Sequence, residues 1–293
     1  RPPPPAPGAP TPSLFVAMWR RALCAAVPVA AAKRGPTHAW AAATRGRRPG
    51  WRPVPACSRQ LAHAATTPRV DVDQDRRIIE ISPEAPSAHS ASCIFMHGLG
   101  DTASGFAGVC HAWAMEMPHV RFVLPTAPVS PVTLNAGMRM PSWYDVVGLD
   151  DRLLESCEGI EASRDTILEL LAKEAAAVGH DRCVLAGFSQ GGAMALFVGL
   201  QLPQRLAGVL SLSAYLPTPG TVSISQEALA TPVLQCHGEA DSMVAISTAR
   251  ATEQFLEAHG VQNRGFKAYS DLAHAVHDEE LEDVADWLAC VLP

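Results

Sequence analysis

The sequence predicts an α/β domain in which a mostly parallel sheet is covered by helices on both faces. Three observations support this prediction. Short apolar or β-branched runs alternate with longer helical patterns, as happens when a helix connects each pair of parallel strands. A glycine-rich turn joins an apolar run directly to a helical pattern near residue 189. Polar side chains follow several of the predicted strands, at the edge where parallel sheets hold their ligand sites.

The predicted strands are short runs bounded by turn residues. They lie at 77–81, 92–96, 120–124, 182–188, 206–211, 232–236 and 265–270. The predicted helices lie at 159–178, 191–202, 244–259 and 279–291. In the first helix, Ile160, Ile167 and Leu171 recur at helical spacing and define one apolar face. Segment 125–145 contains Pro and Gly without a strict period, which predicts a long loop of a kind that is often functional.

The segment from Val184 to Ala193 predicts a strand, a tight turn and a helix. Within it, Gly187, Ser189 and Gly191 form the pattern G-x-S-x-G. Glycines on both sides permit a turn so tight that Ser189 takes a strained backbone conformation with its hydroxyl exposed. This arrangement is typical of the nucleophile elbow of an α/β-hydrolase. The alternative is a glycine-rich bend with an incidental serine, so the choice depends on which residues follow.

A serine hydroxyl becomes a useful nucleophile when a base and an orienting carboxylate accompany it. In the α/β-hydrolase fold the acid follows the serine and the histidine comes last. Asp241, after the sixth predicted strand, is the predicted acid, with Glu239 as the near alternative. His274, after the last predicted strand, is the predicted base. His277 precedes an acidic run and is more consistent with the start of the last helix.

Two backbone N–H groups are also expected near Ser189, to bind the oxyanion of an acyl-transfer intermediate. The Gln190 amide is one, because it follows the serine at the start of a helix. The Leu99 amide is the other, in the H-G-L-G loop after strand 92–96. His97 in that loop is expected to fix the loop by hydrogen bonding rather than to transfer protons.

Four motifs together resemble the acyl-protein thioesterase and lysophospholipase group of the phospholipase/carboxylesterase family. They are HGLGD at 97–101, MPSWYD at 140–145, GFSQGG at 187–192 and HGEAD at 237–241. The resemblance extends over roughly residues 77 to 291. The sequence departs from the family pattern at Ala273, where a glycine usually precedes the histidine, and at Met243, where a valine is common.

The resemblance implies a serine hydrolase that cleaves long-chain acyl thioesters or esters, including S-palmitoyl cysteines of proteins and lysophospholipids. The positions it assigns are the catalytic triad Ser189, Asp241 and His274 and the oxyanion amides of Leu99 and Gln190. Ser142 and Trp143 would border the acyl-binding groove, although packing of their loop against the core is an equal alternative. The expected chemistry needs no cofactor and no metal. The resemblance also implies a monomer or a weak dimer.

Two other classes of function are considered. A carboxylesterase for small soluble esters would use the same triad without a long apolar groove. A non-catalytic ligand receptor on the same fold is disfavoured, because such a protein would not need to keep all three triad side chains.

The composition changes sharply near Val70. Residues 1–70 contain 11 Lys and Arg and no Asp or Glu, whereas residues 71–293 contain 12 basic and 29 acidic residues. We therefore expect a disordered or targeting extension, rich in Pro, Arg and Ala, at 1–70. Residues 71–293 are expected to form one α/β-hydrolase catalytic domain, since their length suits a single hydrophobic core.

The acid-free stretch that begins at Met18 has the Arg- and Ala-rich composition of an organelle transit peptide. The mitochondrion or a plastid is therefore the predicted compartment, with the cytoplasm as the alternative. A secretory signal is less consistent with the sequence, because arginines continue well beyond the weakly apolar segment 22–32.

The acidic excess of residues 71–293 disfavours nucleic acid as a partner. No run approaches the roughly 20 apolar residues of a spanning helix, so only transient contact with a membrane surface is expected. The eight cysteines show no spacing typical of zinc sites, and they are predicted to be buried thiols in a reducing compartment.

Overall fold

A computed structural model describes residues 67–149 and 152–293. The strands are β1 Arg69–Asp73, β2 Ile78–Ser82, β3 Ala91–Met96, β4 Val120–Pro125, β5 Val129–Val132, β6 Met138–Pro141, β7 Cys183–Phe188, β8 Gly208–Leu212, β9 Val233–Gly238 and β10 Arg264–Tyr269. The helices are α1 Ser104–Glu116, α2 Ile160–Val178, α3 Gln190–Gly199, α4 Ile246–Ala258 and α5 Asp278–Val291. The targeting prediction falls on residues outside these ranges. No helix in the described part is long and apolar enough to cross a bilayer.

Eight of these strands form the central sheet, in the order β1-β2-β4-β3-β7-β8-β9-β10. In this order, every adjacent pair from β4 to β10 is parallel, whereas β1 pairs with β2 and β2 pairs with β4 in antiparallel fashion at one edge. β5 and β6 form a separate antiparallel hairpin. The predicted fold class, a mostly parallel sheet of the α/β-hydrolase type, is therefore confirmed.

Helices cover both faces of this sheet, which explains why its central strands are almost entirely buried and mostly apolar. Successive side chains of a strand point to opposite faces. In β8, Leu210 belongs to the core layer that α1 and α5 cover, together with Trp113 and Trp287. The preceding residue, Val209, faces the other way and lies against Gly199 of α3. Both faces of the sheet are therefore buried.

Three segments differ from the sequence-based expectation. β1 begins at Arg69, just before the expected domain start at residue 71, and all five of its residues are exposed. Helix α1 occupies a segment for which no element was predicted. The predicted loop 125–145 contains the β5–β6 hairpin, whose two strands are short and each contain a proline.

The parallel strands bring four loops to one edge of the sheet. The loops after β3, β7, β9 and β10 all begin at the carboxyl ends of their strands, where α/β sheets form ligand sites. These loops contain Leu99, Ser189, Asp241 and His274, respectively.

Candidate active site

Ser189 lies at the turn between β7 and α3, with a φ of 54° and a ψ of −121°. A positive φ is uncommon for a residue other than glycine and marks a strained turn. The neighbouring glycines make this turn possible. A Cβ at Gly187 would lie 2.3 Å from the Gly191 carbonyl carbon, and a Cβ at Gly191 would lie 2.1 Å from the Met96 oxygen. The strained strand–turn–helix junction predicted from G-x-S-x-G is present in this geometry.

A chain of hydrogen bonds joins Ser189, His274 and Asp241. Ser189 Oγ is 2.9 Å from His274 Nε2, and His274 Nδ1 is 2.7 Å from Asp241 Oδ2. Because an ionised carboxylate only accepts hydrogen bonds, the proton on the imidazole belongs on Nδ1. Nε2 is then free to accept the hydroxyl proton of Ser189. The structure thus brings together the three side chains that the sequence singled out.

Asp241 is held by more than its contact with His274. Its Oδ1 accepts hydrogen bonds from the Met243 amide at 2.8 Å and the Val244 amide at 2.9 Å. Burial alone would raise the pKa of Asp241, but the hydrogen bond from His274 and the two amides outweigh burial and lower this pKa. The carboxylate is therefore ionised and fixed in direction.

Glu239 and His277, the alternatives considered from the sequence, are not part of this chain of hydrogen bonds. Glu239 is exposed. His277 is the N-cap of α5, where its Nδ1 accepts a hydrogen bond from the Glu280 amide at 3.2 Å. Its ring also packs edge-on against Tyr269, with centroids 4.9 Å apart. His277 therefore begins the last helix, as its position before the acidic run predicted.

The loop after β3 lies directly beside the serine. A Cβ on Gly98 would lie 3.4 Å from Ser189 Cβ. The Leu99 amide is in this loop, and the Gln190 amide is in the first turn of α3, where N–H groups have no partner within the helix. Within the described residues, neither amide donates a hydrogen bond to another protein group. Both are therefore available to an oxygen atom bound at Ser189.

His97 fixes this loop. Its Nε2 accepts a hydrogen bond from the Ala127 amide at 3.0 Å, and its Nδ1 donates to the Gly98 carbonyl at 2.7 Å. Burial lowers the pKa of His97, which favours the neutral ring that these two bonds require. His97 therefore holds the loop in place by hydrogen bonding, as we expected.

Ser142 and Trp143 are both buried rather than displayed on an open surface. Ser142 Oγ donates to the Tyr144 carbonyl at 2.6 Å. The Trp143 indole donates to the His97 carbonyl at 2.9 Å, and its backbone amide donates to Gln190 Oε1 at 3.0 Å. These contacts connect the loop 141–144 to the loop after β3 and to the start of α3, both of which lie beside Ser189.

Two contributions to the site were missed from the sequence. From the sequence, a role was assigned to the backbone amide of Gln190 and none to its side chain, yet this side chain is buried and bonded to the loop 141–144. Phe188 packs against His274 with ring centroids 5.0 Å apart and so supports the imidazole. The signal for Gln190 was its place as the one side chain with hydrogen-bonding groups in the otherwise apolar and glycine-containing helix 190–199.

The chain is similar to known proteins over most of its described length. Residues 78–292 match the family model described as Phospholipase/Carboxylesterase. Acyl-protein thioesterase 1 of Mycosarcoma maydis is 37% identical over 238 residues, covering 74% of this chain and 98% of the relative. The relative of the same name from Gibberella zeae is also 37% identical, over 74% of this chain and 97% of its own.

Solved structures show the same relationship. The crystal structure of acyl-protein thioesterase 2 from Zea mays superposes with a TM-score of 0.67 at 30% identity, covering 74% of this chain and 99% of that one. SOBER1 of Arabidopsis thaliana gives a TM-score of 0.64 at 30% identity, with 70% and 100% covered. The chain belongs to the phospholipase/carboxylesterase family and is a serine hydrolase that acts on acyl esters or thioesters.

Proposed function

We propose that Ser189, His274 and Asp241 are the nucleophile, the general base and the orienting acid of a two-step acyl transfer. The single observation that best supports this is the hydrogen-bonded chain from Ser189 Oγ through His274 to Asp241. The proposed substrates are long-chain acyl thioesters or esters, with S-acylated cysteines of proteins foremost. That choice is supported by the relatives that are named acyl-protein thioesterases.

In the first step, Ser189 Oγ attacks the acyl carbonyl carbon while its proton moves to His274 Nε2. Asp241 stabilises the imidazolium ion that forms. The carbonyl oxygen becomes an oxyanion, and the amides of Leu99 and Gln190 donate hydrogen bonds to it. The bond to the thiol or alcohol then breaks, and the leaving group takes the proton from His274. The acyl group stays on Ser189 as an ester.

In the second step, water replaces the leaving group. His274 removes a proton from the water as the water oxygen attacks the acyl carbon. The same two amides bind the second oxyanion. The bond between Ser189 Oγ and the acyl carbon breaks, Oγ regains its proton from His274, and the fatty acid leaves.

Ser142 and Trp143 were expected either to border the acyl-binding groove or to lie in a loop that packs against the core. Their burial and their bonds to Gln190 and His97 support the second alternative, with both residues beneath the binding surface. In this proposal they shape the site from below and do not form its outer wall.

The first test compares hydrolysis of a palmitoyl thioester and a matched short-chain oxygen ester by the full chain and by Ser189→Ala. We expect the wild type to prefer the long thioester and the variant to lose turnover of both. Substantial turnover by Ser189→Ala, with an unchanged melting temperature, would overturn the assignment of the nucleophile. Turnover of the short ester alone would instead indicate a carboxylesterase for small esters, with the same triad.

A further inference from the structure

We infer that the Trp143 indole and the Gln190 side-chain amide are positioning residues that hold the two oxyanion-binding amides, those of Leu99 and Gln190, at a fixed separation. This inference rests on the proposed function, because it concerns the oxyanion of that reaction. It assigns catalytic importance to two side chains that do not touch the substrate.

The Gln190 side chain fastens the loop 141–144 to the start of α3. Its Nε2 donates to the Tyr144 carbonyl at 2.7 Å and to Ser142 Oγ at 3.0 Å. Its Oε1 accepts from the Trp143 amide at 3.0 Å. The side chain is only 4% exposed, so these protein groups take the place of water. The residue whose amide binds the oxyanion is thus also the anchor of this loop.

The loop 141–144 in turn holds the loop that contains Leu99, on both sides of that residue. The Trp143 indole N–H donates to the His97 carbonyl at 2.9 Å. The Gly100 amide donates to the Pro141 carbonyl at 2.8 Å. Trp143 is only 1% exposed, and its ring also packs against the His97 ring, with centroids 5.3 Å apart. These contacts therefore restrain the backbone on both sides of Leu99.

These contacts form a closed path around the serine. Hydrogen bonds join the Gln190 side chain to Trp143 and the Trp143 indole to the His97 carbonyl. The path closes by close approach, because a Cβ on Gly98, the residue after His97, would lie 3.4 Å from Ser189 Cβ. The two oxyanion amides belong to segments that are far apart in the sequence, so only contacts across the fold can set the distance between them. Donors stabilise an oxyanion only when they point at the position that its oxygen will occupy.

A purely structural role for the Trp143 indole and a positioning role predict different kinetic results. With a purely structural role, loss of its N–H would lower stability without a selective effect on the transition state. A positioning part predicts a lower kcat with little change in KM, because the oxyanion exists only after attack. Binding of an acyl trifluoromethyl ketone should weaken in parallel, since this inhibitor forms a tetrahedral adduct with a serine and thereby an oxyanion.

The test uses Trp143→Phe, which keeps an aromatic ring and removes the N–H. The matched control is Trp113→Phe. Trp113 is also buried, and its indole donates to the Leu281 carbonyl at 3.3 Å, between α1 and α5. We expect Trp143→Phe to lower kcat by about tenfold, less than the loss of a whole oxyanion donor. Trp113→Phe should leave kcat within about twofold of the wild type.

A second variant, Gln190→Glu, keeps the size of the side chain and its acceptor but removes the NH₂ donor to Tyr144. It should lower kcat and inhibitor affinity together, as Trp143→Phe does. Wild-type kcat and inhibitor affinity in both variants would overturn the inference. So would an equal loss of kcat in Trp113→Phe, because the effect would then not be local.

Ser189→Ala separates the inference from the function on which it rests. If that variant is inactive while Trp143→Phe and Gln190→Glu behave as wild type, only the positioning inference fails. If Ser189→Ala keeps its turnover, the proposed nucleophile fails, and the positioning inference fails with it.

Discussion

The backbone of Ser189 shows how the fold fixes the direction of a single side chain. Its φ of 54° costs on the order of 1–3 kcal/mol in residues with a side chain. All ten residues of α3, which follows directly, are buried, and the Ser189 amide donates to the Leu212 carbonyl at 2.8 Å. The surrounding structure thus imposes the conformation. Its result is a hydroxyl group directed at His274 instead of one that rotates in solvent.

Glu280 presents a different residue-level problem, because it is a carboxyl group in the protein interior. Its neighbours Asp278 and Glu279 are exposed, whereas Glu280 is fully buried in the first turn of α5. Among the described residues, no Lys, Arg or His forms an ion pair with it. Burial raises the pKa of Glu280 to about 8, although the His277 amide opposes the shift.

This buried carboxyl group predicts a pH-dependent stability. The folded protein holds the carboxyl proton of Glu280 more tightly than the unfolded chain does. The contribution of this group to the free energy of unfolding is therefore fully present below the unfolded pKa of 4.5. It falls as pH rises towards about 8, by up to about 1.4 kcal/mol per pH unit. Glu280→Gln, which stays neutral, should therefore be increasingly more stable than wild type between pH 5 and pH 8. Urea unfolding at several pH values measures this difference.

The exposed neighbour offers the control for that experiment. Glu279→Gln makes the same chemical change one residue away and should follow the wild-type pH dependence. A difference between Glu280→Gln and wild type that is constant from pH 5 to pH 8 would contradict the prediction. It would mean that Glu280 does not change its protonation state on unfolding in this range.

Among the elements, those that the sequence predicted well are apolar runs with clear turn residues at both ends. β7 and α3 were predicted within a few residues, since an unbroken apolar run leads into G-x-S-x-G. Helix α1 was missed because Gly105 and Gly108 interrupt its pattern and lower its helix propensity. Its buried Phe106, Cys110 and Trp113 nevertheless have helical spacing, which was the available signal.

Neither the β5–β6 hairpin nor the identity of the groups that bond to the Gln190 side chain could be predicted from the sequence, for a related physical reason. Each hairpin strand has four residues and pairs only with the other, so its stability comes from pairing and packing rather than local pattern. The Gln190 side chain contacts residues 142–144, more than 40 positions earlier in the chain. The proximity of Ser189, His274 and Asp241 could be predicted because each of these residues follows a strand in a characteristic motif.

The contact between α3 and β3 gives a prediction at the scale of elements. A Cβ at Gly191 would lie 2.1 Å from the Met96 carbonyl oxygen, so Gly191→Ala should push α3 away from the sheet. We expect a loss of about 3 kcal/mol in the free energy of unfolding, from overpacking against a backbone atom. Activity should fall as well, because α3 begins directly after Ser189. Urea unfolding and steady-state hydrolysis measure the two effects.

Gly108 in α1 is the matched control for this substitution. A Cβ there would meet no atom within 4 Å. Gly108→Ala should therefore raise the free energy of unfolding by about 0.5–1 kcal/mol, since alanine has the higher helix propensity. Equal effects of the two substitutions would show that the close approach of α3 to β3 is not what requires a glycine at 191.

At the scale of the whole molecule, the proposed site and the sheet that supports it lie within one stretch of chain. The proposed catalytic and oxyanion residues lie between Leu99 and His274, and the family model matches residues 78–292. The basic residues of the extension lie before this stretch, whereas the stretch itself is acidic. This separation supports the proposal that the chain before β1 serves another purpose, such as targeting, and is not needed for hydrolysis.

That division predicts the result of shortening the chain. A protein that starts at residue 67 keeps β1 and should hydrolyse a palmitoyl thioester with a kcat/KM within about twofold of the full chain. Its melting temperature should also be unchanged. A protein that starts at residue 78 lacks β1, which makes β2 the edge strand. Loss of the pairing between β1 and β2 should lower the melting temperature of this second protein. Its activity should remain, because all five β1 residues are exposed. Loss of activity on removal of residues 1–66 alone would contradict the proposed division, since it would make the basic segment part of the catalytic unit.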